Sequence, residues 1–446
     1  MNLKCTEICN YLNVPYSGPE AIFNAVSTDT RSLQPGALFV AIQGKNFDGH
    51  NFLDEAIKHG AIGVVVSKPY SADVPVIQVE DTLNAYGQIA AMHRSKFDLP
   101  MVGVTGSCGK TSVKSMIASI LQQVGKVLSP PGSFNNEIGL PKTLLELNAE
   151  HEFGVLEMGA RKPGDIKYLM GLVNPNVVLV NNVAPAHTET FGDLDTIAAT
   201  KGEIYKYLQA DGVAVINVDD QYAPYWLSSL TTQKVITFGL EHTADVTCAY
   251  IVEEHHRIKM ELVADQGSVQ ILLPLIGLHN VMNALAASAA ALALGISLDD
   301  IKAGLEAFKT VTRRMEIKPG QQGATVIDDS YNANPNAMRF AVDVLSKQQG
   351  RKIMVIGDML ELGVQSEERH KVLGQQIKAA GIDSLLAYGN FTKLAVEEFG
   401  TQAQYFADKS ELIARLTTML DSNTVVLVKG SHGMRMNEVV NAIIQD

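Results

Sequence analysis

The stretch LPMVGVTGSCGKTSVKS, Leu99 to Ser115, decides the fold. Its first half, MVGVT, is a short apolar run of the kind a buried strand makes, and the residues after GKT carry helical spacing. The glycines between them make a strand–loop–helix junction. Gly106 and Gly109 let backbone N–H groups approach an anion with no Cβ in the way, and the following helix aims the positive end of its dipole at the same point. In such a loop Lys110 reaches the β- and γ-phosphates of a nucleotide and the Thr111 hydroxyl ligates Mg²⁺. Thr105, Gly106, Ser107, Cys108, Gly109, Lys110 and Thr111 are therefore the candidate nucleotide-binding residues. The strict pattern has a glycine where this chain has Val104, so T-G-S-C-G-K-T is a variant of it.

What the phosphate serves is narrowed by what is missing. A guanine-reading N-K-x-D segment, expected of a GTP-binding switch, does not occur in the sequence. A motor or clamp ATPase is expected to have an apolar run ending in an acidic pair, whereas FGVLEMGA ends in Glu157 alone. Glu157 is a candidate Mg²⁺ ligand at the end of a neighbouring strand; the ordinary alternative is a solvated strand-end carboxylate.

At 446 residues the chain is long enough for two or three domains. Its net charge of -12 argues against non-specific nucleic-acid binding, which needs a basic surface. Cys5, Cys9, Cys108 and Cys248 form no dense framework, so free thiols in a reducing compartment are expected. Cys5 and Cys9 read as one apolar stripe of an N-terminal helix. MNLKCTEICNYL lacks the pattern of a secretion signal, and NALAASAAALALG, Asn283 to Gly295, is too short to span a bilayer. A cytoplasmic protein without membrane partners is expected, with a monomer as the default.

Two boundaries divide the chain. Pro100 stops the helical pattern TLNAYGQIAAMHRSKF, and a charged, Gly/Pro-punctuated strand region, Lys309 to Gly323, follows a later helix. The expected domains are 1–98, 99–314 and 315–446. The first mixes short strands (ALFVAI, AIGVVVS, VIQV) with helices. In the second, MVGVTG, a helix over Lys110–Val124, FGVLEM, NVVLVNN, a helix over Asp193–Gln209 and GVAVIN alternate, which predicts an α/β fold with a parallel sheet. Residues Val246–Pro274 read as an antiparallel addition, before helices over His279–Phe308. The third domain alternates again (ATVIDDS, RKIMVIGD, SLLAYG, NTVVLVKGS) as a Rossmann-like α/β unit without a G-x-G-x-x-G fingerprint.

Several segments occur together in a fixed order: VGVTGSCGKTS, SFNNEIGLP, VLEMGA, NVAPAHTETFG, TKGEI, GLHNVMNALAA, RRME, DDSYNANP and KGS. In this the chain resembles the Mur ligases, which add amino acids to the UDP-N-acetylmuramoyl peptide precursor of peptidoglycan. DDSYNANPNAM and GDMLELG point, within that family, to the reaction joining D-alanyl-D-alanine to UDP-N-acetylmuramoyl-tripeptide. The alternatives are a sibling that adds one amino acid and, in another class, a nucleotide-gated binding protein.

The resemblance implies a carboxylate phosphorylated by ATP to an acyl phosphate, then attacked by an amine, with two Mg²⁺ ions. Phosphoryl transfer of this kind is positioning and charge neutralisation. It implies Thr111 and Glu157 for the first ion, and His187 and Lys201 for the second. Lys201 is expected to be carbamylated, because an ammonium repels cations and a carbamate does not. Lys110, His187, Lys201 and Arg314 are the expected catalytic group. The ordinary alternatives are an exposed helix lysine for Lys201 and a loop histidine for His187.

Further assignments follow by the same resemblance. Asn280 and Asn283, on one helix face, read adenine; helix capping is the plainer role for Asn280. Arg314 and Asp329 hold the nucleotide from the far side of the cleft. Asn135 and Asn136 face the sugar–peptide, although Asn is also common in turns. Tyr331, Asn332 and Asn334 shape the site at the junction of the last two domains. Thr30, Arg31, Lys45 and Asn46 hold the UDP moiety, against ordinary surface charge for Arg31 and Lys45. Lys429 and Ser431 contact the incoming dipeptide. Cys108 departs from the Thr, Asn or Ser usual in the family, and His432 from a usual Arg; the backbone does the work at Cys108.

Overall fold

A computed structural model describes the chain apart from residues 45–46, 131, 186–187, 255 and 446. Its centre is a six-stranded sheet in the order Lys234–Phe238, Val213–Asn217, Val177–Val180, Met101–Thr105, Phe153–Glu157, Val127–Leu128, parallel throughout. These strands are rich in valine and almost wholly buried, as a parallel sheet covered on both faces requires. Alternate residues supply two cores. Val177 and Leu179 pack with the helices Lys110–Leu121 and Leu278–Ala293. Val178 and Val180 pack with Asp165–Val173 and Leu194–Lys206. The register sets Val104 beside Glu157 and Thr105 beside Val180, so the phosphate loop, Glu157 and Asn181 leave the sheet at one edge.

The helix Leu298–Glu306 crosses the phosphate-loop helix at Gly304. A Cβ there would lie 2.3 Å from the Ile120 Cα, and the Ser119 hydroxyl already donates to the Gly304 carbonyl at 2.6 Å. Backbone cannot yield as a side chain does, so Gly304→Ala is expected to cost about 2–3 kcal/mol. Chemical denaturation checks this; an unchanged midpoint would contradict the crossing.

Residues Thr247–Glu254, Arg257–Ala264 and Gly267–Leu273 form an antiparallel three-stranded sheet packed on the central domain. The first domain has four parallel strands, Ala25–Ser27, Ala37–Val40, Gly63–Val66 and Val76–Gln78, and a small antiparallel pair, Leu3–Lys4 with Ile22–Phe23. Cys5 and Cys9 are buried on the helix Cys5–Leu12. The C-terminal sheet runs Glu316–Pro319, Thr325–Asp329, Thr424–Lys429, Arg351–Gly357, Ser384–Tyr388, Ala403–Phe406, with only the first strand antiparallel. The chain is thus a three-domain α/β protein. The first and central domains share one apolar core, whereas the cores of the last are almost wholly its own. No described helix is long and apolar enough to cross a membrane.

His93 and His370 are buried, and burial lowers the pKa of each below the ordinary 6.5. The His370 Nε2 lies 3.0 Å from the Met359 N–H, which it accepts, and Nδ1 donates to the Ser366 carbonyl at 2.6 Å, so the ring is neutral. Below 6.5 the unfolded chain takes up protons that these folded rings refuse, so stability falls as pH falls. The thermal midpoint is expected to drop by several degrees between pH 7 and pH 5, and less steeply in His370→Gln; equal slopes would exclude His370 as a source.

Candidate active site

One cavity of about 1770 Å³ is lined from all three domains, by Asn84 of the first, the phosphate loop of the second and Asn332 of the third among others. The strand Met101–Thr105 delivers the loop to it. Gly106 and Gly109 have φ of 148° and 78°, conformations a side chain disfavours, and Gly109 leads straight into the helix beginning at Lys110. Lys110 folds back, Nζ 2.8 Å from the Gly106 carbonyl. The loop is braced from the neighbouring strand. Ser107 N–H donates to the Asn182 carbonyl and Cys108 N–H to the Asn182 side-chain oxygen, each at 2.9 Å. The Asn181 amide bridges the Cys108 carbonyl at 3.0 Å and Asn283 Oδ1 at 2.9 Å.

Beneath the loop the Thr111 hydroxyl donates to Glu157 Oε2 at 2.7 Å and lies 3.1 Å from Ser133 Oγ. Asn135 Nδ2 donates to Glu157 Oε1 at 2.6 Å. From the third domain's side, Arg314 Nη2 donates to Thr111 Oγ1 at 2.9 Å, and its guanidinium lies 4.3 Å from the Tyr331 ring centre. Its Nε is buried without a hydrogen-bond partner among the described residues. Asn334 caps the helix Pro335–Ser346 through the Ala337 N–H and reaches Cys108 Sγ at 3.2 Å across the domain junction.

Lys201 lines the same cavity at 4% exposure, and its ammonium has no hydrogen-bond partner among the described residues. Burial first, and then the positive charge of Lys110, pull its pKa down to about 7. Burial likewise lowers that of Lys110. Lys110, Lys201 and Arg314 line this cleft together with the carboxylates Glu157 and Asp329, so it offers cations for anionic groups and acids for a bound cation side by side.

The structure therefore brings together the phosphate loop, Glu157, Lys201, Asn135, Asn136, Asn280, Asn283, Arg314, Asp329, Tyr331, Asn332 and Asn334. Several are engaged with other groups. Asn283 Nδ2 donates to Asn280 Oδ1, and Asn280 Nδ2 to the Ile276 carbonyl; Asn280 does not cap its helix. Asn136 accepts the Gly139 N–H, a turn role. The Thr105 hydroxyl is spent on the Met158 carbonyl. Lys429 and Ser431 also line the cavity, and Lys429, itself buried, pairs with Asp329 at 2.5 Å and donates to the Asn332 carbonyl. Thr30 and Arg31 do not line the cavity: Thr30 donates to Glu55, and the exposed Arg31 folds onto Asp29. His187, Lys45 and Asn46 lie outside the described residues.

Sequence reasoning missed Ser133, Asn181 and Asn182. The signal for the asparagines is their place just after a strand, but it becomes readable only once that strand is known to lie beside Met101–Thr105.

The comparisons agree with this architecture. Residues 23–94 match the model of the Mur ligase family, catalytic domain; residues 104–291 the Mur ligase middle domain; and residues 313–432 the Mur ligase, glutamate ligase domain. The chain is 41% identical to the UDP-N-acetylmuramoyl-tripeptide–D-alanyl-D-alanine ligase of Escherichia coli K12, over 99% of this chain and 98% of that one. It is 32% identical to the ligase of the same name from Bacillus subtilis, over 96% and 94%. A crystal structure of MurF from Acinetobacter baumannii superposes with a TM-score of 0.93 at 33% identity, covering 99% and 98%. MurF ligase from Thermotoga maritima in complex with ADP does so at 0.84 and 28% identity, covering 94% and 96%. With three family domains matched in order and relatives aligned from end to end, this chain belongs to the Mur ligase family of ATP-dependent ligases.

Proposed function

We propose that this chain joins D-alanyl-D-alanine to the free carboxylate of UDP-N-acetylmuramoyl-tripeptide, using ATP and passing through an acyl phosphate. The observation that carries the reading is end-to-end similarity to relatives named for that reaction, on a chain whose phosphate loop, Glu157 and third-domain loops open into one cavity. In this reading residues 1–98 hold the UDP-sugar, 99–314 bind ATP, and 315–446 bring the dipeptide. A cytoplasmic monomer acting in peptidoglycan synthesis fits it.

The chain's own groups have definable tasks. Backbone N–H groups of the loop and Lys110 hold the triphosphate, with Lys110 leaving the Gly106 carbonyl to do so. Thr111 and Glu157 offer a hydroxyl and a carboxylate 2.7 Å apart, a hard-oxygen pair that fits Mg²⁺. No group of three or more His, Cys, Asp or Glu gathers for a metal among the described residues, so remaining ligands would come from phosphate oxygens and water. By the family resemblance a carbamylated Lys201 would hold the second ion with His187, which lies outside the described residues. When bound, the ions supply charge neutralisation between the γ-phosphate and the attacking carboxylate. Arg314 already reaches Thr111 and adds positive charge from the third domain's side. The carboxylate oxygen attacks the γ-phosphorus and ADP leaves; the dipeptide amine then attacks the acyl carbon and orthophosphate leaves with the oxygen it received. Enclosure by three domains keeps water from the acyl phosphate.

The test supplies ATP, Mg²⁺, UDP-muramoyl tripeptide and either D-alanyl-D-alanine or single amino acids. Phosphate release with a product heavier by the dipeptide is expected only in the first case. Turnover with one amino acid would indicate the sibling reaction, and slow hydrolysis indifferent to any amine a nucleotide gate.

A further inference from the structure

Lys114 stands one turn beyond Lys110 on the phosphate-loop helix and is 1% exposed. A lysine so buried is ordinarily paired with a carboxylate, since an isolated buried charge is costly. Lys114 has no ion-pair partner among the described residues. Its ammonium instead donates to two backbone carbonyls, Pro130 at 2.5 Å and Gly132 at 2.9 Å. Apart from the undescribed Pro131, residues 129–136 belong to no helix or strand, so side-chain and loop hydrogen bonds rather than a ladder fix that segment's path.

Those carbonyls lie immediately before the two side chains that touch the Thr111–Glu157 pair. Ser133 Oγ is 3.1 Å from Thr111 Oγ1, and Asn135 Nδ2 is 2.6 Å from Glu157 Oε1. The segment is pinned at its far end as well, where the Asn135 carbonyl accepts the Gly159 N–H at 2.8 Å. A methionine would fill the same slot with no desolvation cost but would leave both carbonyls without a donor.

We infer that Lys114 is a positioning residue: its ammonium clamps the 129–136 loop so that Ser133 and Asn135 hold Thr111 and Glu157 in the orientation that receives the metal–triphosphate. It touches neither nucleotide nor acceptor and acts through the loop. The inference rests on the reading of Thr111 and Glu157 given above.

Lys114→Met and Lys114→Gln test it by two readouts. In the metal-free protein, amide hydrogen exchange of the peptide spanning 129–136 is expected to accelerate about tenfold or more in Lys114→Met, with helix peptides unchanged. In turnover, kcat is expected to fall by about tenfold or more, because small displacements of positioning groups are expensive. The Mg²⁺ concentration for half-maximal rate rises, while the KM for D-alanyl-D-alanine stays within about twofold of the parent. Gln, too short for both carbonyls, falls between. Combining Lys114→Met with Asn135→Ala is expected to be little worse than either alone, since both act on Glu157. A loop whose exchange does not change overturns the inference. So does a loosened loop with parental kcat and Mg²⁺ requirement. Loss of cooperative unfolding in both variants also overturns it, because the lysine would then serve the core. A parent chain without Mg²⁺-dependent turnover would instead defeat the functional reading, and the exchange data would still judge the clamp.

Discussion

Replacing Lys201 by alanine is expected to lower ligation by about a hundredfold or more, with ATP still bound, because it removes charge stabilisation aimed at the reacting phosphate. The reason lies in where the lysine sits. It is 4% exposed, on the helix Leu194–Lys206, in the cavity that also holds Lys110. Burial and the nearby Lys110 charge draw its pKa down to about 7, which makes its neutral amine form more accessible than that of an ordinary lysine. A neutral amine nitrogen can attack CO₂, lose a proton and become a carbamate, exchanging a cation for an oxygen anion. Two results follow from that chemistry. Stripping CO₂ and bicarbonate from the assay is expected to lower the parental rate. Adding a short carboxylate such as formate is expected to restore part of the rate to Lys201→Ala but nothing to the parent. Steady-state phosphate release measures both. Full activity in Lys201→Ala would remove this residue from the site.

Lys110→Met is expected to cost about a hundred- to a thousandfold in kcat/KM, in the range found when one preorganised charge is lost from a transition state. In the structure Nζ rests on the Gly106 carbonyl at 2.8 Å and approaches the Ser107 carbonyl at 3.5 Å, so it holds the loop until phosphate oxygens replace those carbonyls. The variant is therefore expected to raise the KM for ATP as well as lower kcat. Lys110→Arg is expected to rescue little, because a planar fork cannot stand in for a point charge inside so tight a loop. Initial rates against ATP concentration decide it. A Lys110→Met enzyme within threefold of the parent would mean that the triphosphate is held elsewhere.

The junction at Leu99–Ser115 was legible because its determinants are local: an apolar run, two glycines and a helix start lie within a few residues. The alternation that predicts a parallel sheet was legible for the same reason. The helix expected over Asp193–Gln209 spans Leu194–Lys206, its start set by the Asp193 cap on the Thr196 N–H. Short edge strands were harder. The strand region expected within 309–323 contains Glu316–Pro319, whereas Ala403–Phe406, four residues and incompletely buried, offers too little for a periodic pattern. Strand order was not readable at all, and it is strand order that sets Glu157 beside Val104 and Asn181 just beyond Thr105. Lys114 was invisible for a related reason: a lysine on a helix looks like solvent-facing charge until the loop that covers it is in place. In the first domain, Thr30 and Arg31 were picked by resemblance, and the folded chain gives them local partners, Glu55 and Asp29.

The central claim is that the energy of ATP passes through a phosphorylated carboxylate before the amide forms. Supplying UDP-muramoyl tripeptide labelled with ¹⁸O in its terminal carboxylate, with ATP and D-alanyl-D-alanine, tests it directly. One labelled oxygen is expected in each orthophosphate released, transferred from the acceptor acid. Orthophosphate free of label, in a reaction that still forms the amide, would contradict it.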